Sequence, residues 1–101
     1  MKSKKTSKPQ KKIIHLVKRR GLVEHYDERK VYGSCYFACR NAHLSEQEAE
    51  QMAEKVSTAV TKWVNRKKVI SSNEIFHSII EELKKYNEDA AFLYETHRDI
   101  S

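Results

Sequence analysis

Residues 16–30, LVKRRGLVEHYDERK, set three consecutive cations, Lys18, Arg19 and Arg20, at a turn between two short apolar runs, with Glu24, Asp27 and Lys30 close behind. Cations held on a rigid element lose little freedom when they bind an anion, so the run suits a polyphosphate. Neighbouring residues of a regular strand face opposite ways, and Lys18 and Arg19 converge on one ligand only at a strand end or turn. Lys30 lies close enough to a helix starting at Asp27 to add a third cation there. A second group is Cys35, Cys39 and His43, which at i, i+4 and i+8 line one helical face and include enough ligands to share a metal. The same positions belong to an apolar stripe, no fourth ligand is evident, and a structural zinc draws four ligands from two segments, so a core role is preferred. Two cysteines one helical turn apart do not meet the narrow geometry of a disulfide.

Other chemistry is largely excluded. None of the five histidines has an identifiable nucleophile as partner, and His15, His25, His77 and His97 read as half-buried amphipathic residues. There is no GxxxxGK[ST] or GxGxxG, and two glycines cannot make a glycine-rich phosphate cradle. Catalysis by this chain is not expected.

The elements that position the cations follow from periodicity. IIHLV (residues 13–17) and LVEHY (22–26), with residues 18–21 between them, read as a β-hairpin whose turn uses Gly21 for a positive φ. A lone hairpin is marginal and must lean on something. Asp27 caps a helix to about Ala42 with the stripe Val31, Cys35, Ala38, Cys39 and Ala42, and Gly33 within it hints at a close packing contact. Ser45 with Glu48, and Ser71 with Glu74, have capping-box spacing. The first opens a helix to about Asn65 with the face Ala49, Met52, Val56, Val60 and Trp63; the second opens one with Ile75, Ile79, Ile80 and Leu83. Asn87 caps a fourth, carrying Ala90, Ala91, Leu93, Tyr94 and His97. The fold expected is α+β, a short N-terminal β-hairpin capping a small four-helix bundle.

The 101 residues, 39% hydrophobic, suffice for one domain with a modest core. The formal charge is +6, but six of the 20 Lys and Arg fall in residues 2–12, and the remaining 14 balance the 14 Asp and Glu. Residues 1–12 are therefore expected to be a disordered basic tail ahead of a neutral domain at 13–101. Such a tail is a solubilising segment or a loose, salt-sensitive contact for nucleic-acid phosphates. No signal peptide or membrane span is read, so a cytoplasmic protein is expected.

The pattern V-K-R-x-G-x-x-E-x-(aromatic)-D-x-x-K, carried by Val17, Lys18, Arg19, Gly21, Glu24, Tyr26, Asp27 and Lys30, resembles the ATP-cone. That module regulates ribonucleotide reductases and occurs in the bacterial repressor of their genes. Ser72, Glu74 and Ile75, then Tyr94, Arg98 and Asp99, extend the resemblance over residues 13–100. Arg20 stands where the family commonly has Asp, and Phe76 where it often has a polar residue. The resemblance implies an adenine nucleotide, ATP or dATP, with or without magnesium. It assigns phosphates to Lys18, Arg19 and Lys30, and the ribose or base side, or ordering of the cations, to Glu24 and Asp27. Asp27 has its capping role as the alternative. Leu16, Val17, Ser72, Phe76 and Arg98 complete the set, with Phe76 stacking on adenine or packing in the core. A regulatory module is implied, free-standing or part of a larger protein, partnered by its own copies or a host domain. The alternatives are a nucleic-acid-associated protein using the tail, and a cone that has lost its ligand and serves as an interaction surface.

Overall fold

The computed structural model describes residues 16–97 apart from Arg20, with Arg19 described through its backbone only. The expected tail, residues 13–15 of the first strand, and Arg98 lie outside the described residues. Strands β1 (Leu16–Arg19) and β2 (Leu22–His25) form the hairpin, followed by helices α1 (Glu28–Asn41) and α2 (Glu46–Val64), strand β3 (Val69–Ser71), and helices α3 (Ser72–Lys84) and α4 (Glu88–His97).

The hairpin is tighter than its sequence suggests. Arg19 pairs with Leu22, so Lys18 and Arg19 belong to β1 rather than to the turn. Gly21 has φ +82°, a conformation that costs glycine nothing and other residues strain. The hairpin is joined by β3, which the sequence reading did not contain. β3 runs parallel to β1 in register Leu16↔Val69, Val17↔Ile70 and Lys18↔Ser71, giving the order β2-β1-β3. This third strand supplies support that a two-stranded hairpin lacks.

Each helix starts where its cap predicts. The Asp27 carboxylate accepts the Arg29 N–H at 3.0 Å. Both capping boxes close reciprocally: Ser45 Oγ accepts from Glu48 N and Ser71 Oγ from Glu74 N, each at 3.1 Å, while the glutamates accept from the serine amides. Asn87 Oδ1 accepts the Ala90 N–H at 2.9 Å. Each helix packs against the next and α4 returns to α1, closing the bundle, with β1 and β3 laid on α3.

The core joins Val17 and Ile70 from the sheet to Val31, Cys35 and Cys39 of α1, Val56 and Val60 of α2, Ile79, Ile80 and Leu83 of α3, and Ala90 and Ala91 of α4. The α2 face is wider than the predicted stripe, for Ala53, Ser57 and Val64 are also buried. Ser57 satisfies its hydroxyl by donating to the Glu54 carbonyl at 3.3 Å. Gly33 corrects the sequence reading: it faces outward, and a Cβ built there meets nothing within 4 Å, so no close helix contact requires it. No helix among the described residues is long and apolar enough to cross a membrane.

Candidate functional site

β1 is the central strand, and its alternation sorts the predicted residues. Val17 is 6% exposed and fills the core, so Lys18, one position on, stands exposed on the outer sheet face. The half-buried Leu16 shares that face with its exposed partner Val69 and with Val23, the exposed partner of Lys18. Lys18 pairs with Val23 on one side and Ser71 on the other, which brings the start of α3, with half-buried Ser72, beside it. Lys18 and Arg19 are the last two residues of β1, which is the strand-end alternative of the expectation rather than the turn.

On the β2 side, Glu24 pairs with Val17, and its Oε1 lies 3.6 Å from Lys30 Nζ. Because β2 runs directly into α1, the strand carboxylate and the first-turn cation face each other. Of the two alternatives for Glu24, this contact favours ordering the cations. Asp27 caps α1 and also pairs with Arg29, whose Nε is 3.3 Å from Oδ1. Hydrogen bonds from the Arg29 side chain and amide hold its carboxyl below the usual range. Arg29 was not among the predicted residues; its spacing from the cap was the available signal. Lys30 donates its own amide to the Asp27 carbonyl at 3.1 Å.

The predicted residues are therefore distributed along β1. Lys18 and Ser72 gather near its turn end, with Lys18 on the outer face; Glu24 sits at mid-strand on the other face, paired with core-facing Val17, and Asp27 and Lys30 follow β2 from the opposite end, one strand length of roughly 10 Å away. Phe76 lies one helical turn beyond Ser72 on α3, half-buried against the core, with its ring centroid 5.6 Å from Tyr94 in a tilted arrangement. Two shallow grooves border α2, one lined by Gln51, Lys55, Thr58, Lys62 and Tyr86, the other by Glu28, Arg29, Tyr32 and Ser57. Among the described residues, no predicted site residue lines either.

Behind the site, polar contacts tie α1 and the residue before its cap to the neighbouring helices. The Tyr26 hydroxyl is 2.8 Å from Thr61 Oγ1 on α2, and Ser34 Oγ is 3.1 Å from the Tyr94 hydroxyl on α4. Burial raises the Tyr26 hydroxyl pKa, opposed by the Thr61 hydrogen bond, and pushes that of Tyr94 up to about 12. Cys35 and Cys39 are free, buried thiols pushed up to about 12 and about 11 by burial. His43 does not extend their face, for α1 ends at Asn41 and His43 turns out to solvent with φ +71°. Among the described residues no three His, Cys, Asp or Glu side chains gather to hold a metal.

A three-stranded sheet whose cationic central strand lies against a closed ring of four capped helices defines a small α+β module, and the chain belongs to the ATP-cone family. The family's model, ATP cone domain, matches residues 14–100. The transcriptional repressor NrdR of Kosmotoga olearia is 32% identical over 95 residues, covering 90% of this chain and 59% of the repressor. The chain thus spans little more than half of that relative's length.

Proposed function

We propose that this chain is a regulatory module that binds an adenine nucleotide, ATP or dATP, along β1, and that it is not itself an enzyme. The observation that carries the reading is the Glu24–Lys30 pair at the start of α1, beside a central strand that presents Lys18. Within a member of the ATP-cone family, that arrangement places cations on rigid backbone before any ligand arrives. Lys18, Arg19 and Lys30 take the phosphates, with or without magnesium on them, and Glu24 and Asp27 hold the cations in place. Leu16, Ser72 and Phe76 serve the nucleoside and Arg98 assists, while Val17 supports the strand from the core. The cone occupies residues 13–101, behind a basic tail at 1–12, in a cytoplasmic protein.

Regulation follows if the nucleotide favours one of two arrangements of the module with its own copies or a host domain. A second reading, a protein that acts with nucleic acid, is favoured by the repressor role in the relative's name and by the lysines of residues 2–12.

Calorimetric titration of nucleotide-free protein with ATP, dATP, ADP and GTP, with and without magnesium, tests the first reading. Saturable adenine-nucleotide binding, weakened tenfold or more (roughly 1.4 kcal/mol) by Lys18→Ala with Lys30→Ala, is expected. Absence of saturable binding at millimolar nucleotide would sink it and leave a cone that works as an interaction surface.

A further inference from the structure

The solvent face of α2 carries a charge pattern that the nucleotide reading does not use. Residues 46–54 hold Glu46, Glu48, Glu50 and Glu54 and no cation, while residues 55–66 hold Lys55, Lys62 and Arg66 and no acid. The sign of the charge thus changes between Glu54 and Lys55, near the middle of the helix. Glu46 and Glu48 in the first turn and Lys62 in the last suit the helix's own dipole, but that effect is confined to the end turns, and Glu50, Glu54 and Lys55 lie outside them. Glu50, Glu54, Lys62 and Arg66 are exposed, and among the described residues none of them is engaged in an ion pair.

The middle of the same face is low. Thr58 is exposed and lines both shallow grooves that border α2, with Ala59 beside it in one and Ser57 in the other. Short side chains at this point let a second helix approach closely, and the grooves leave room for longer side chains on either side of the contact. Glu54 and Lys62 stand before and after Thr58 at equal spacing, each about 6 Å from it along the helix axis. When two copies of such a helix lie antiparallel about a two-fold axis at Thr58, each residue comes level with the one equally far on the other side of it. Glu54 of one copy then faces Lys62 of the other, Glu48 and Glu50 come level with Arg66, and symmetry repeats both contacts. A parallel pair would instead set the acidic halves side by side and the basic halves side by side.

We infer that the solvent face of α2 is a self-association surface, through which the chain pairs with a second copy of itself, antiparallel and centred on Thr58. Charge complementarity selects a second copy as the partner, because the acidic half of the face matches its own basic half at the same spacing. Exposed ion pairs contribute little each and are screened by salt, so the dimer is weak and strengthens as salt is lowered. The face holds none of the candidate nucleotide residues, and the inference does not depend on nucleotide binding.

The test is sedimentation equilibrium of the full chain without nucleotide, at up to about 1 mM protein, in about 0.1 M and about 1 M salt, between which the screening length falls from about 10 Å to about 3 Å. A dimer at the lower salt that dissociates at the higher is expected. Glu54→Lys leaves only cations at positions 54 and 62, and Lys62→Glu only acids, so each variant alone opposes like charges and should raise the dimer dissociation constant about tenfold or more. An equimolar mixture of the two variants restores opposite charges across the contact and should recover the dimer. Circular dichroism verifies folding, and Glu54→Gln or Lys62→Gln replaces a reversal that melts, with a smaller loss of association expected. Three results would overturn the inference: a monomer at every concentration and salt, a dimer indifferent to substitution at both positions, or a mixture of the charge reversals that associates no better than either variant alone. A dimer abolished instead by Phe37→Ser with Phe92→Ser, which remove exposed aromatics of α1 and α4, would overturn it as well.

Discussion

Raising the pH should unfold this domain through its buried acids, and Cys35 gives the clearest case. Its thiol is 0% exposed and is pushed up to about 12, first by burial and then by Cys39, from an ordinary value of 9.0. The folded chain therefore keeps a proton that the unfolded chain releases above pH 9. Stability from this group is complete below pH 9 and declines as pH rises towards 12. Each pH unit in that window costs about 1.4 kcal/mol per retained proton, so Cys35 alone removes about 3 kcal/mol by pH 11. Cys39 acts in the same direction up to about 11, and Tyr94, at about 12 against 10.0, joins above pH 10. Against a total stability of about 5–15 kcal/mol, that is enough to bring the domain close to unfolding.

The assay is urea unfolding followed by circular dichroism at several values between pH 8 and 10.5, on the wild type and on Cys35→Ala. Replacing the thiol lowers stability at every pH because packing is lost, but that offset does not alter the slope with pH. The variant should lose one proton's worth of slope, about 1.4 kcal/mol per pH unit, between pH 9 and 10.5. Equal slopes in the two proteins would show that Cys35 titrates alike in the folded and unfolded chains, and would refute the reasoning.

Two further predictions test the local conformations. Gly33→Ala should stabilise the domain by about 1 kcal/mol, because the site is helical, exposed and open to a Cβ, whereas Gly21→Ala should destabilise it by about as much through its positive φ; thermal melts of the two variants read the opposite signs. Ser71→Ala should cost about 1 kcal/mol in urea unfolding by opening the box that starts α3, and an unchanged midpoint would show that the box contributes nothing.

What was legible in the sequence was local. A capping box is written in four residues, so Ser45 with Glu48 and Ser71 with Glu74 place their helices without knowledge of the rest of the fold. The hairpin is legible for the same reason, since Gly21 and the branched residues around it encode it within a dozen positions. β3 is different. Its three residues become a strand only by pairing with Leu16–Lys18, about fifty positions earlier, and a short stretch after a basic run carries no sign of that partner. Gly33 misled because a helical glycine signals close packing only when a neighbour is near, and proximity is tertiary information. His43 lies past the helix end, where spacing alone continues the helical face but the backbone does not. In the candidate site, charge order singled out Lys18, Glu24 and Lys30 as candidates, while the assignment of Lys18 to a strand depended on the register of three strands.

That register bears on how a ligand could act. Lys30 and Glu24 form an exposed pair, their side chains 74% and 43% exposed, and pairs of this kind are worth at most about 1 kcal/mol. A phosphate that draws Lys30 away from Glu24 gives up little, while the strand and helix that carry the two residues are already fixed. A displacement at the start of α1 does not stay local, because Tyr26, just ahead of the α1 cap, is joined to Thr61 of α2, and Ser34 of α1 to Tyr94 of α4. Both hydroxyl pairs are partly buried, where losing a partner is more costly than in water, so the first turn of α1 and its two neighbours are coupled. Lys30, proposed to take a phosphate, and Ser34, which braces α1 against α4, are thus about one turn apart on one helix, and Tyr26 lies just ahead of its cap; that is the proximity through which bound phosphate would be felt in the bundle.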